Sequence, residues 1–291
     1  MDTLAVANRH DRDARITFQE KGHVYFIDGV DYKKAGGVSC TGFVKHFCSE
    51  FDAQRIIGYI VRGSRWSSDP TYQYYRKSMG QIQEMWRANG KQACEAGTAM
   101  HADIEAFYNG VEHQNESKEY KQFEAFHETT RIPGFVLLPF RTEWMIYDEE
   151  HRITGSVDMV FEEADGTYSI YDWKRSKEIK TTSSERLSWP LQHQKDCNHT
   201  QYSLQLSVYA SILSRCYGLK IKHLVLIVCH PNQTQFSKIE VPNMQKEVND
   251  MLEYRKLQLM KGGYAELTDE VCDTIGAPDD TGVWRLVRSY K

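Results

Sequence analysis

The stretch that most restricts what this chain can fold into is GSVDMVFEEADGTYSIYDWK, residues 155–174. It reads as two β-strands joined by Ala164-Asp165-Gly166, with the glycine at the left-handed position of a three-residue hairpin loop. Centring the hairpin on Asp165 places Asp158 directly across from Asp172, and directly paired residues share a face. Lys174, two residues further on, points to the face of Asp172. Tyr171 and Trp173 alternate with these charges and mark the other face as buried. Two carboxylates held side by side near a core repel each other unless a cation lies between them. Oxygen donors with little nitrogen or sulfur suit Mg²⁺ or Mn²⁺. An ammonium group beside them supplies positive charge where a water or a phosphate oxygen would sit. By itself the pattern also fits a surface hairpin carrying ordinary charges, so the surrounding elements have to decide.

Those elements alternate in period. Residues 15–18 and 23–27 read as a hairpin followed by a turn at Asp28-Gly29, and Ser39 offers an N-cap for a short helix ending at His46 or Phe47. Residues 53–62 read as a helix, and Ser67-Ser68-Asp69-Pro70 interrupts the pattern. A long helical stretch over 72–108 is expected to be divided by Gly80, Gly90 and Gly97. A polar helix over 116–129 stops at Pro133-Gly134. Strands follow at 141–147, 153–161 and 168–173, then a polar loop over 175–199, a helix over 200–217 and an apolar strand at 224–229. A last helix spans 244–260 and ends at Gly262-Gly263. Without its extensions this is an αβββαβ order, an α/β fold with helices on a mixed central sheet.

Composition narrows the class. Hydrophobic residues make up 41% of the 291, enough for a large core, and no apolar run approaches the roughly 18 residues of a membrane span. The opening residues lack the apolar block of a signal peptide, so an intracellular protein is expected. Seven cysteines without a CxxC argue against a disulfide scaffold, a zinc ribbon or a Cys-ligated iron–sulfur cluster. The net charge of −4 announces no nucleic-acid partner, although a local basic patch can bind phosphate within an acidic chain.

Three features flank the hairpin. GTAMHADIE puts His101 and Glu105 on one helical face, with Gly97 one turn earlier where another backbone could approach. Glu143 lies on the first strand, beside the hairpin. QYSLQLSVYA aligns Gln201, Gln205 and Tyr209 on one helical stripe. Each also has an ordinary structural explanation; their order along the chain is the informative part.

In that order they resemble the PD-(D/E)XK nuclease superfamily, in its RecB-like exonuclease branch. The matching residues are Gly97-Thr98, His101 and Glu105; Gly155 to Asp158; Asp172 to Lys174; and Gln205 with Tyr209. The upstream ITFQEKGHVYFIDG, SCTGFVKHF and FDA are similar to the opening of viral and phage-type exonucleases. The resemblance implies a restriction-endonuclease-like core over 96–230, with a helical insertion at about 111–134. Residues 1–95 would form a hairpin and helical region, and 231–291 a C-terminal helix and tail. It implies Asp158, Asp172, His101 and the Trp173 carbonyl as ligands of one or two Mg²⁺ or Mn²⁺ ions. Glu105 or Glu143 would act through water, Lys174 on the attacking water or the phosphorus, and Gln205 and Tyr209 on Lys174 and the scissile strand. No iron–sulfur cluster is expected, because no cysteine trio follows the last strand.

The implied activity is metal-dependent DNA exonuclease action in replication, recombination or end processing. An endonuclease or ribonuclease on the same fold, or an inactive binding module, are the alternatives. The implied partner is DNA that is single-stranded or has free ends, with RNA possible. Arg175, Lys177 and Gln201 join Gln205 and Tyr209 as substrate contacts, and Lys180, Arg186 and Lys195 could track phosphates. Trp66, Tyr72, Tyr74, Tyr75 and Trp86, interleaved with Arg76, Lys77 and Arg87, suit stacking on unpaired bases from an arch over the site.

Overall fold

A computed structural model describes residues 3–112, 114–132 and 137–260. The turn at Pro133-Gly134, the glycines at 262–263, Cys272 and the C-terminal tail lie outside the described residues.

The chain begins with α1 (Thr3–Ala7) and a 3-10 turn over Asp11–Arg15. Strands β1 (Ile16–Gln19), β2 (Val24–Ile27) and β3 (Val30–Asp31) then form a small antiparallel sheet. Asp28 and Gly29 both take positive φ, 50° and 78°, and close β2 onto β3 in a two-residue turn. After β4 (Val38–Ser39) the Ser39 hydroxyl accepts from Gly42 N and starts α2 (Cys40–Lys45). Helices α3 (Ala53–Arg62), α4 (Ser64–Ser68), α5 (Met79–Tyr108) and α6 (Lys118–Thr129) follow. The rest is β5 (Leu138–Asp148), β6 (Ile153–Glu162), β7 (Tyr168–Arg175), α7 (Asn198–Tyr217), β8 (Ile221–Cys229), β9 (Ser237–Glu240) and α8 (Gln245–Met260).

The main sheet is mixed, in the order β4-β6-β7-β8-β9, with β5 on the other edge of β6. Neighbours β5/β6, β6/β7 and β8/β9 are antiparallel, whereas β4/β6 and β7/β8 are parallel. One face packs on α2, α7 and α8 through Phe43, Phe47, Leu204, Val208, Met251 and Leu252. The other packs on α5 and α6 through Met100, Ile104, Phe123 and Phe126. This is the α/β arrangement expected from the sequence, with helices on both faces of the sheet.

The hairpin forms in the expected register. Met159 pairs with Tyr171 and Glu162 with Tyr168, and Gly166 takes φ +74° in the loop. The ladder stops at Met159/Tyr171. Beyond it β7 leaves β6, and farther down β6 pairs with β4 at Ile153 and Thr154 instead. Residues 155–158 therefore line a fork between two strands. Alternation also breaks there, since Val157 and Val160 pack into the same cluster while Met159 and Phe161 face the opposite one.

Two expectations need correction. The long helical stretch is not divided at its glycines: α5 is one helix of 30 residues, and it begins at Met79 rather than Tyr72. Ser78 and Gln81 form a capping box that fixes the start. A glycine costs a helix only about 1 kcal/mol relative to alanine, too little to break one anchored at both ends. Gly97 meets no other backbone either, because a Cβ built there has nothing within 4 Å. The edge strands β4 and β9, of two and four residues, are too short to show a period in the sequence. The loop between β7 and α7 is fastened to the core by the buried Leu187 and Leu191.

Candidate metal centre

The fork collects the acidic residues. Extending the β5–β6 register (Thr142↔Met159, Trp144↔Val157) puts Glu143 across from Asp158. Extending the β6–β7 register puts Asp158 across from Asp172. Three carboxylates thus form one row over three adjacent strands. Glu143 takes φ +39°, a left-handed conformation that side-chain-bearing residues rarely adopt. Strain of this kind persists only where its surroundings over-determine it. Here the Glu143 carboxylate accepts from Ser156 Oγ at 3.0 Å and lies 3.3 Å from His101 Nδ1.

Helix α5 supplies His101 from the other side. Its Nε2 is 2.9 Å from the Trp173 carbonyl, which can only accept, so Nε2 carries a proton. Its Nδ1 faces two further acceptors, Glu143 and, at 3.6 Å, Asp158 Oδ2. Burial lowers the pKa of this imidazole, but Asp158 and Glu143 outweigh it and raise the pKa to about 9. One ligand atom each from His101, Glu143 and Asp158 lie within 4.8 Å of one another, a spacing that one ion could bridge.

Asp172 adjoins this trio from the β7 side. It is buried, and neither of its oxygens accepts a well-directed hydrogen bond; Lys174 Nζ lies 2.6 Å from Oδ2 as an ion pair. A buried carboxylate without hydrogen bonds is costly unless a cation offsets it. Burial raises the pKa of both Asp158 and Asp172. Lys174 keeps its proton, because Asp172 and Asp158 outweigh the opposing effect of burial. Three carboxylates stand against one imidazolium and one ammonium. The donor set is hard, one nitrogen and otherwise oxygen, and it fits a divalent cation such as Mg²⁺ or Mn²⁺.

The helix α7 bears on the site through the face Tyr202, Gln205, Tyr209. Lys174 Nζ sits 4.7 Å from the centre of the Tyr202 ring, and Gln205 Nε2 donates to Tyr209 Oη at 3.2 Å. Tyr209 fills the space above Gly155, where an added Cβ would come within 2.6 Å of its ring and 3.3 Å of Cys40. The glycine before Ser156 thus admits a tyrosine from α7 into the fork.

The remaining expected residues are distributed as follows. Glu105 lies one turn beyond His101 on α5, half-buried, and is not one of the clustered ligands. The Gln201 amide donates to Asp196, and Arg175 Nε donates to Glu119 on α6 at 2.7 Å, so both tie elements together. Lys177 and Lys180 are exposed on the loop after β7. Trp66 donates to the Lys77 carbonyl and Trp86 to Tyr74 Oη, so those rings are engaged with their own surroundings.

Sequence reasoning placed Ser156 in the motif without a role, did not name Tyr202, and gave Glu143 only a role through water. The signal for Tyr202 was the i, i+3, i+7 face through Gln205 and Tyr209, one position beside the stripe drawn through Gln201. No pattern in the sequence announces the left-handed backbone of Glu143.

No family model matches the chain, and no curated protein matches it. Solved structures with a similar course include one described as "Crystal structure of SSO0001", 13% identical with a TM-score of 0.32, covering 81% of this chain and 83% of that one. Another is described as "Putative exonuclease" from Eubacterium rectale, 12% identical with a TM-score of 0.35, covering 83% and 89%. Both TM-scores are below 0.5.

Proposed function

We propose that the chain is a divalent-metal-dependent nuclease of the PD-(D/E)XK type, hydrolysing phosphodiester bonds as a DNA exonuclease on single strands or free ends. The observation that carries this reading is the convergence of His101, Glu143 and Asp158, with Asp172 and Lys174 alongside, in a fork of the sheet. His101, Glu143 and Asp158 would hold the ion, with Asp172 and the Trp173 carbonyl next to it. A Mg²⁺ or Mn²⁺ ion held there would lower the pKa of a water and neutralise phosphate charge.

The protein's own groups have separable tasks. Ser156 fixes the Glu143 carboxylate. Asp172 and the Tyr202 ring hold the Lys174 ammonium in place, so this residue serves as a fixed cation for a phosphate oxygen rather than as a base. The backbone N–H of Trp173 donates to Asp158 Oδ2 at 2.9 Å and sets that carboxylate's orientation.

The test is digestion of 5′- and 3′-labelled single- and double-stranded DNA and RNA, together with circular single strands, in Mg²⁺ or Mn²⁺. The reading expects ion-dependent shortening from an end and an intact circle. Cleavage of the circle would replace the exonuclease by an endonuclease on the same centre. Absence of hydrolysis on every substrate would leave an inactive binding module.

A further inference from the structure

Residues 51–91 carry seven Lys and Arg against three Asp and Glu, within a chain whose net charge is −4. The structure places this positive charge on a distinct part of the molecule. Ile57 of α3 and Ile82 of α5, both fully buried, anchor the two helices to each other. The C-terminal half of α5 packs on the sheet through Met100 and Ile104. Between these anchors residues 87–95 are exposed on every side of the helix, over two and a half turns. A helix polar all round bridges separately packed parts. Here it is a stalk carrying a head made of α3, α4 and the start of α5, and its base bears His101. At 1.5 Å per residue, Trp86 stands about 22 Å along the helix from His101.

The head's aromatic residues divide into two groups. Trp66, Tyr74 and Trp86 are engaged internally, as described above. Phe51 and Tyr59 are 71% and 64% exposed. Tyr59 sits between Arg55 and Arg62 on the i, i+4, i+7 stripe of α3, and all three are exposed. The Arg62 guanidinium lies 5.5 Å from the Tyr59 ring centre, and Phe51 leans on Trp86 at 5.8 Å. Arg55 has no carboxylate partner among the described residues. The Arg62 Nε donates to the Gly58 carbonyl at 2.9 Å and likewise faces no carboxylate among the described residues. Exposed rings between guanidiniums that no carboxylate neutralises suit unpaired bases, whose faces stack, joined by a backbone that is anionic at every step. A duplex hides those faces.

We infer that the α3 stripe Arg55–Tyr59–Arg62, with Phe51, is a binding surface for single-stranded nucleic acid, set apart from the metal centre and retaining the strand while its end is cut. The retaining role rests on the nuclease reading; the binding does not. The Arg65 and Arg76 guanidiniums over Tyr72 and Tyr75, at 4.5 and 5.1 Å, extend the same chemistry on the head.

The test uses the full chain in EDTA, so that nothing is cut. Fluorescence anisotropy with labelled single-stranded and duplex deoxy- and ribo-oligonucleotides measures binding by wild type, Arg55→Glu/Arg62→Glu and Phe51→Ala/Tyr59→Ala. Thermal melts establish that the variants fold. The ring variant should bind at least about tenfold more weakly, because it removes two stacking platforms at once. The charge variant should bind more weakly and with a smaller salt slope. Hydrolysis of bis(p-nitrophenyl) phosphate, too small to reach the head, should be unchanged in both. Wild-type affinity in both folded variants, or equal loss on duplex and single strand, overturns the inference. Binding that depends on the α3 stripe, without hydrolysis of any diester, sustains the surface and defeats the nuclease reading; hydrolysis with binding that is independent of the stripe does the reverse.

Discussion

Glu143 shows how much chemistry can depend on one residue's backbone. Its left-handed φ takes it out of the β5 ladder, and Ser156 and His101 receive its carboxylate. Replacing a residue that supports an ion ligand typically lowers metal affinity 10- to 100-fold, and replacing a ligand should cost no less. Glu143→Gln is therefore expected to weaken Mn²⁺ binding by about that factor, and Ser156→Ala by about the lower end, read by calorimetric titration. Asp172→Asn and Lys174→Ala should abolish hydrolysis while leaving circular dichroism unchanged, since each removes several kcal/mol of transition-state stabilisation. Unaltered turnover in either purified variant would refute the assignment. The imidazolium of His101 has a signed consequence. Its pKa is raised to about 9 by Asp158 and Glu143, so its contribution to metal-free stability is complete below about 6.5 and is lost as pH rises through about 9. Metal binding displaces this proton, so apparent affinity should strengthen from pH 6 towards 9 with about one proton released per ion. Titration in buffers of different ionisation enthalpy counts that proton; an affinity flat over this range would remove His101 from the ligand set.

At the scale of elements, the hairpin was legible because a glycine suited to a left-handed turn between two apolar stretches is a local property. Asp165-Gly166 fixed the register that set Asp158 against Asp172, and Ser39 announced its helix. The fork was not legible, since the Tyr209 ring that occupies it over Gly155 arrives from α7, fifty-odd residues away. Gly155 records that arrival: Gly155→Ala should destabilise by about 1–3 kcal/mol, because the Tyr209 ring has to move. The stalk predicts the opposite sign. Gly90→Ala and Gly97→Ala meet nothing and should each stabilise by about 0.5–1 kcal/mol in a thermal melt. A joint of another kind is Asp148, buried at the end of β5, which accepts from His151 at 2.7 Å and from Arg215 of α7 at 2.8 Å. Burial opposes its ionisation, but His151 and Arg215 outweigh this and hold its pKa well below the usual carboxylate range. Its stabilising effect is present above the ordinary pKa of about 4 and is lost as pH falls below it. Asp148→Asn should accordingly flatten the acid limb of the stability curve.

At the scale of the molecule, a mixed sheet fixes an acidic row from β5, β6 and β7, one helical layer supplies His101 and the other supplies Tyr202 and Tyr209. The α/β order could be read from periodicity, and the candidate residues from their sequence in the chain. That α5 continues unbroken from the site into an exposed stalk could not, because a glycine's local cost says nothing about anchors at either end. No described helix is long and apolar enough to cross a membrane. An ion bound only by the folded chain adds stability by mass action, about 2.7 kcal/mol at a hundred times its Kd, so Mn²⁺ should raise the melting temperature and EDTA reverse it. The most direct test of the centre itself is calorimetric titration of Mn²⁺ into wild type, Asp158→Asn and Glu143→Gln under one condition. Wild type should bind the ion saturably, with a Kd at least about tenfold weaker in each variant. Wild type that binds no ion, or variants that bind it equally well, would contradict it.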